Sequence, residues 1–350
     1  MSVKSADKSS IYSVIISLAI TIGIAVFLLF IMIFILSSTP WKTIYFFFAG
    51  PFTNKYYFGN MLNASVPLIL TGLGISFAFK SSNFNLGGEG QVYAGGLAAA
   101  FIALSLPALN GFEGILLGII SAALLGAFIA GISGFLKYKW NTDELISSFL
   151  ISNALIYIIN YVITGVLHDP DSNLLTTCRF PEQYWLSGIF PPSNLNTSLF
   201  LALAAAAVSW FAMYRTHLGY ELRITGLNAQ FAAYGGINVK KYMVIPMLLS
   251  GAFHGLAGSL AVYGTQHMLF KGFSAGMGWN GIAVALIASN NPIAVVPAAV
   301  FFAYIEAGAK SAMINSDVTI EIALIVKAVI FYLVTASALR GIKLKKWRKA

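Results

Sequence analysis

The feature that most limits this chain is residues 11–36, a run of 26 residues with no Asp, Glu, Lys or Arg. A helix rises about 1.5 Å per residue and the hydrocarbon core of a bilayer is about 30 Å thick, so about 20 apolar residues cross it. The run therefore crosses with length left for tilt. It is too long for the apolar stretch of a signal peptide, and no small-residue cleavage motif follows. Comparable stretches lie at 61–79, 90–106, 112–136, 145–166, 198–214, 243–263, 293–313 and 320–339. A shorter one at 280–289 brings the total to ten. Ten residues reach only about 15 Å, so this eighth segment predicts a half-helix or re-entrant element. Residues 41–50, short and aromatic, predict an interfacial segment. Only 9% of the 350 residues are charged and 58% are hydrophobic, against about 25% charged in a soluble domain. An ordinary soluble enzyme, a disordered chain and a disulfide scaffold are all excluded. The expectation is an all-α polytopic membrane protein, with one transmembrane domain over residues 1–350.

Lys and Arg orient it. With the N-terminus inside, the inner loops hold Lys4, Lys8, Lys80, Lys137, Lys139, Arg215, Arg223, Lys240, Lys241 and six bases of the tail 340–350. The outer loops hold only Lys42, Lys55, Arg179 and Lys271. This asymmetry predicts both termini in the cytoplasm. It places 168–196 outside. The net charge of +9 is concentrated next to membrane helices, as in an anchor to anionic lipid, with no basic, aromatic-interleaved surface for nucleic acid. Cys178 is the only cysteine, so no intrachain disulfide forms.

Two stretches break the apolar pattern. Residues 83–91 read NFNLGGEGQ and residues 272–281 read GFSAGMGWNG. Backbone freed from helix in lipid must be buried in protein or line a wet cavity. Interrupted segments in both halves of a membrane chain point to a transport path. The alternative is two ordinary loops at the membrane faces, with glycine for tight turns. A carboxylate at Glu89 either faces an interior cavity or caps the start of the third helix. Glu306 and Lys310, four residues apart, fall on one helix face and can pair.

The longest inner connection, 215–242, exceeds the usual 2–8 residues of bundle connections. Within it, Ala229–Tyr234 predicts a short helix ended by Gly235 and Gly236, a shape suited to docking a soluble partner. No phosphate-binding G-x-x-x-x-G-K-[ST] loop occurs, and GAKS at 308–311 lacks the spacing. The four histidines show no metal-ligand spacing. The glycines at 87–90 lack the strand–helix context of a dinucleotide site. NAS at Asn63 and NTS at Asn196 are glycosylation triplets of the kind that arise by chance.

At these motifs the chain resembles the permease subunits of bacterial ABC importers that serve simple sugars, nucleosides and branched-chain amino acids. FNLGGEGQVYAGGLAAA (84–100) is similar to the signature of the nucleoside-like branch. RITGLNAQFAAYGGINVKKY (223–242) resembles the cytoplasmic coupling loop, and 249–264 and 278–292 resemble two further family stretches. The likeness runs from about Met61 to Ala336. It implies a multi-pass subunit of the bacterial cytoplasmic (inner) membrane, with about ten helices and broken or re-entrant segments. The implied partners are a second permease (the same or paralogous), a cytoplasmic ABC ATPase, an extracytoplasmic binding protein and membrane lipid. The subunit is then not itself an enzyme, and neither cofactor nor metal is expected. Asn85, Glu89 and Gln91 match the first signature, and with Phe84, Trp279 and Asn280 they are the candidate translocation path. Gly226, Asn228, Ala232, Gly235, Gly236 and Asn238 are the candidate coupling residues. Gln230 and Phe231 depart from the pattern, where relatives often have Glu and Ala. Asn280 stands where a relative commonly has Asp.

The implied cargo is a nucleoside, a purine nucleoside in particular. A simple sugar such as ribose carried by the same machinery is the alternative. A secondary transporter independent of ATP is another, but Glu89, Glu306 and Lys327 form no obvious relay. A membrane enzyme would need clustered carboxylates or histidines near one face. The nearest candidate, NTDE at 141–144, is better explained as helix capping.

Overall fold

The structure, a computed structural model, describes residues 23–24, 26–322, 324–326, 328–329 and 332. Residues 11–22 of the expected first helix, 333–339 of the expected last one and the basic tail 340–350 lie outside the described residues. Among the described residues the fold is all-helical, with only isolated β-bridges in irregular segments. The helices are α1 (Val26–Leu36), α2 (Pro40–Phe48), α3 (Lys55–Lys80), α4 (Gly88–Ser105), α5 (Gly111–Trp140) and α6 (Glu144–Thr164). After them come α7 (Ser198–Arg215), α8 (His217–Leu227), α9 (Ala229–Tyr234), α10 (Lys241–Ala261), α11 (Met277–Ile287) and α12 (Pro292–Asn315). A wide π-type turn, Val262–Gln266, prolongs α10. Among the described residues six helices are long and apolar enough to cross a membrane: α3, α5, α6, α7, α12 and α10 with its extension. α4 has the length, at 18 residues, but Glu89 and Gln91 occupy its first turn. α11, at 11 residues, is the short eighth segment, starting three residues earlier than expected.

The chain packs as two compact units. One is built from the described residues up to Met61 and from Phe301 onward. There Tyr304 donates its hydroxyl to the Phe48 carbonyl at 3.0 Å. The Asp317 carboxylate accepts from Ser37 Oγ at 2.6 Å and from the Ser38 amide at 2.5 Å, just before α2. Glu306 and Lys310 pair at 2.8 Å.

The other unit is Leu62–Val300. Its centre is the contact of α4, α5 and α10. On α5 the buried residues Gly114, Gly118, Ala122, Gly126, Ala130 and Gly134 recur every fourth position. This stripe faces Gly251 and Gly255 of α10 so closely that a Cβ on Gly126 would overlap the Gly251 carbonyl. α4 enters the same seam through Gly95, packed on Gly255, and through Val92, packed on Gly258. Lipid supplies no hydrophobic drive between helices, so close backbone approach through small residues is what holds such a seam. Over it lies the irregular segment between α6 and α7, tied down by amides of Thr177 and Phe180 bonding the carbonyls of Leu269 and His267 at 2.8 Å each. Asn63 and Asn196, the two triplet asparagines, bond one another at 3.1 Å within this unit.

Candidate functional site

The stretch 83–91 starts at one end of the bundle and runs into it. The Asn83 side-chain amide donates to the Tyr242 carbonyl at 2.7 Å, near the start of α10. Gly88 packs on the His254 imidazole, twelve residues further along the same helix. Twelve residues of helix rise about 18 Å. The chain covers that rise between Asn83 and Gly88 without regular structure, so α4 begins deep inside and runs parallel to the second half of α10.

Irregular backbone at that depth needs partners for its amides, and α6 supplies them. Glu144, Ser148 and Ser152, four apart and so on one helix face, accept from the amides of Phe84 (3.2 Å), Leu86 (3.0 Å) and Gly90 (2.8 Å). Lys137 completes the lower rung by donating to Asn83 Oδ1 and Glu144 Oε1, at 2.8 Å each. Asp143 is the cap of α6, accepting from the Leu145 amide at 2.8 Å. NTDE therefore splits: Asp143 caps, as expected, while Glu144 braces the signature stretch.

Glu89 joins the two broken stretches. Its carboxylate accepts from the Ser274 hydroxyl, from the Gly276 amide at 3.1 Å and from the Gly278 amide at 2.8 Å. These two amides open α11, where the helix dipole favours a negative charge. Gly278 lies so close that a Cβ there would overlap the Glu89 backbone. From this junction α11 runs beside α3, with Gly281 on Thr71, Val284 on Gly72, and Ile282 and Ala285 clustered with Ile75. Two helix N-termini thus converge at one buried carboxylate. Glu89 faces the interior and caps a helix at once, and that helix is α11.

The other path candidates divide into inner and outer sets. Asn85 and Gln91 are buried and exchange side-chain hydrogen bonds of 2.9 and 3.0 Å, and Asn85 also donates to Ser250 Oγ at 2.9 Å. Phe84 and Trp279 are 44% and 37% exposed, the surface a cargo would need. Trp279 packs beside Phe149 of α6, and Asn280 sits partly exposed in the first turn of α11. Sequence reasoning missed Glu144, Ser148, Ser152, Ser250 and Ser274. The polar i, i+4, i+8 pattern on an otherwise apolar α6 was the available signal.

The 215–242 connection is not one loop. It contains α8, capped by the Thr216 hydroxyl accepting from the Gly219 amide at 3.2 Å, followed by α9 over the predicted range. Asn228 caps α9 by accepting from the Phe231 amide at 3.0 Å. At the other end Gly236 takes φ +80°. The amides of Ile237 and Gly236 bond the carbonyls of Ala232 and Ala233, at 3.0 Å each, as in a Schellman stop. Ala232 faces inward, while Leu227, Phe231 and Tyr234 are largely exposed. Gly226 presses on the Lys80 carbonyl, and Ser82 donates to the Gly226 carbonyl at 2.7 Å. The root of α9 is thereby fastened to the turn that leads into 83–91. Gly235 and Asn238 flank the stop and remain exposed.

Helices long and apolar enough to cross a membrane, with irregular backbone bonded inside the bundle, are features of membrane transport proteins. A family model described as branched-chain amino acid transport system / permease component matches residues 57–335. The guanosine ABC transporter permease protein NupP of Bacillus subtilis is 34% identical over 303 residues, 85% of this chain and 87% of the relative. The probable riboflavin import permease protein RfuC of Treponema pallidum is 33% identical over 305 residues, 86% and 80% of the two chains. The nucleoside ABC transporter permease protein NupB of Lactococcus lactis is 30% identical over 297 residues, 82% and 81%. The chain belongs to this permease family. It is a membrane-embedded transport subunit of an ABC system, which also comprises an ATPase and a substrate-binding partner, and it is not itself an enzyme.

Proposed function

We propose that this chain forms the path by which an ATP-driven importer moves nucleosides, purine nucleosides in particular, across the cytoplasmic membrane. The observation that carries the reading is the junction at Glu89, where both glycine-broken stretches meet deep in the bundle. Three donors already meet the Glu89 carboxyl group, and apart from the His254 imidazole the neighbouring polar groups are amides and hydroxyls. Such a lining suits a neutral polyol cargo, held weakly enough to leave again. Phe84 and Trp279 offer faces on which a base can stack. The relatives named for guanosine, nucleosides and riboflavin support this class, since each cargo joins a nitrogen heteroaromatic ring to a ribose or ribityl chain.

In this reading residues 1–350 are one permease domain of ten crossings with both termini inside, paired with a second permease and surrounded by lipid. α9 docks on the ATPase through its exposed face. ATP binding displaces α9, and Gly226, Ser82 and the 83–91 stretch pass the movement to Glu89 and α11. The rigid-body rocking that follows switches access.

The test is uptake of labelled guanosine, adenosine and ribose by cells with and without the chain, before and after ATP depletion. Nucleoside uptake that needs both the chain and ATP is the expected result. Loss of ribose uptake alone keeps the machine and replaces the cargo. Chain-dependent uptake that survives ATP depletion overturns the ATP-driven reading.

A further inference from the structure

Where α5 ends and α10 begins, a pocket of about 250 Å³ opens between Phe135, Tyr138, Asn238, Lys240, Lys241 and Val244. Its chemistry is unlike that of the path. Lys240 lies over the Tyr138 ring at 5.9 Å, and Lys139 lies over Trp140 at 4.7 Å and over Phe135 at 6.0 Å. Phe135, Tyr138 and Trp140 are all exposed. Among the described residues Lys139, Lys240 and Lys241 have no carboxylate partner. The nearby acids are engaged elsewhere: Glu144 with Lys137, Asp143 with the Leu145 amide, and Glu221 with His217 and Tyr242.

We propose that this pocket is a binding site for the headgroup of an anionic glycerophospholipid. Three features select that ligand. The ammonium groups, which no carboxylate among the described residues neutralises, complement a phosphodiester, and a basic pocket between membrane helices is the usual form of such a site. Both flanking helices are long and apolar enough to cross a membrane, and α5 ends and α10 begins here, which puts the pocket at headgroup level in the membrane reading. Lys240, Lys241 and Tyr138 line it near the helix ends, and Phe135 and Val244 line it about a turn further in, an order that matches a phosphate above a glycerol and acyl chain. Exposed Tyr and Trp at this level belong to the interfacial belt. A free phosphate shares the charge but has no use for the apolar floor. Asn238 connects the site to the stop of α9, so a bound lipid would steady the segment between α9 and α10. The inference rests on the membrane reading alone and not on the cargo.

The experiment is native mass spectrometry of the purified full chain with phosphatidylglycerol, with phosphatidylcholine and with inorganic phosphate. The expected result is retention of phosphatidylglycerol over phosphatidylcholine, lowered about tenfold or more by the triple variant K139Q/K240Q/K241Q. The triple Lys→Arg variant should retain the lipid, and Lys310→Gln should leave retention unchanged. Membrane insertion of each variant is checked first. If the triple Gln variant does not insert, Lys240→Gln alone is measured, with a several-fold loss expected. Equal retention of the two lipids, undiminished retention by the Gln variants, or displacement of the lipid by millimolar inorganic phosphate would overturn the site.

Discussion

At the scale of single residues, the structure turns three positions into sharp tests. Glu89 accepts from Ser274, Gly276 and Gly278. Glu89→Ala strands these donors, at about 1–3 kcal/mol for each buried group left unpaired. Uptake per inserted molecule should fall tenfold or more, while Glu89→Gln, which keeps one acceptor oxygen, should lose less. Equal uptake by Glu89→Ala and the parent chain would remove Glu89 from the path. Gly236 has φ +80° and no atom within 4 Å of a built Cβ, so substitution there meets backbone strain and no clash. Gly236→Val should add about 1–2 kcal/mol of left-handed strain and depress both uptake and stimulated ATPase activity, whereas Gly236→Asn should be tolerated. Asp317 is held down to a pKa of about 2, chiefly by the Ser37 hydroxyl and next by the Ser38 amide. A lowered carboxyl contributes its stability above the ordinary carboxylate range and loses it as pH falls through the folded value. Thermal stability should therefore be insensitive to Asp317→Asn near pH 2. The same substitution should lower stability between pH 5 and 8, where a thermal melt reads the difference.

At the scale of elements, α6 and α4 exchange the roles their compositions imply. α6 is apolar and passes for a simple span, yet its Glu144, Ser148 and Ser152 hold the irregular backbone of 83–91 in place. Ser148→Ala and Ser152→Ala should each cost about 1–3 kcal/mol by orphaning the Leu86 or Gly90 amide, read as earlier melting in detergent. Ser121→Ala, whose hydroxyl bonds only its own helix at Leu117, should do little. α4 is the reverse case: its first turn is polar because protein surrounds it, so hydropathy understates it. Most long helices were legible within a few residues, since a charge-free run of that length has few other solutions in lipid. α8 was not legible. It is only 11 residues long and carries Glu221 and Arg223, so it shows no apolar run. The fourfold stripe on α5 was in plain view, but its meaning depends on the glycines of α10, more than a hundred residues away. Gly126→Leu should block the α5–α10 seam and prevent accumulation of folded protein, measured by detergent-resistant yield.

At the scale of the molecule, the family and the geometry together describe a subunit and not a complete machine. The chain carries no phosphate-binding loop, and Phe231 and Tyr234 of α9 are exposed. Purified alone in liposomes, it should neither hydrolyse ATP nor concentrate guanosine. Adding the second permease, the ATPase and the binding protein should supply both, and concentrative uptake by the chain alone would argue for a transporter of another kind.

The sequence by itself determined the class of molecule. Runs of about 20 apolar residues leave helices as the only economical answer in lipid, because each backbone group must find its partner within the segment. It also located both irregular stretches and the small helix Ala229–Tyr234, through glycine and capping residues whose effects are local. Only the tertiary structure decided what those places do. That Glu89 reaches Gly276 and Gly278, that α6 braces 83–91, and that Gly226 meets Lys80 are contacts between segments far apart in the chain. Local pattern cannot encode them, because a hydrogen bond between distant segments depends on the register and depth of every helix that separates them.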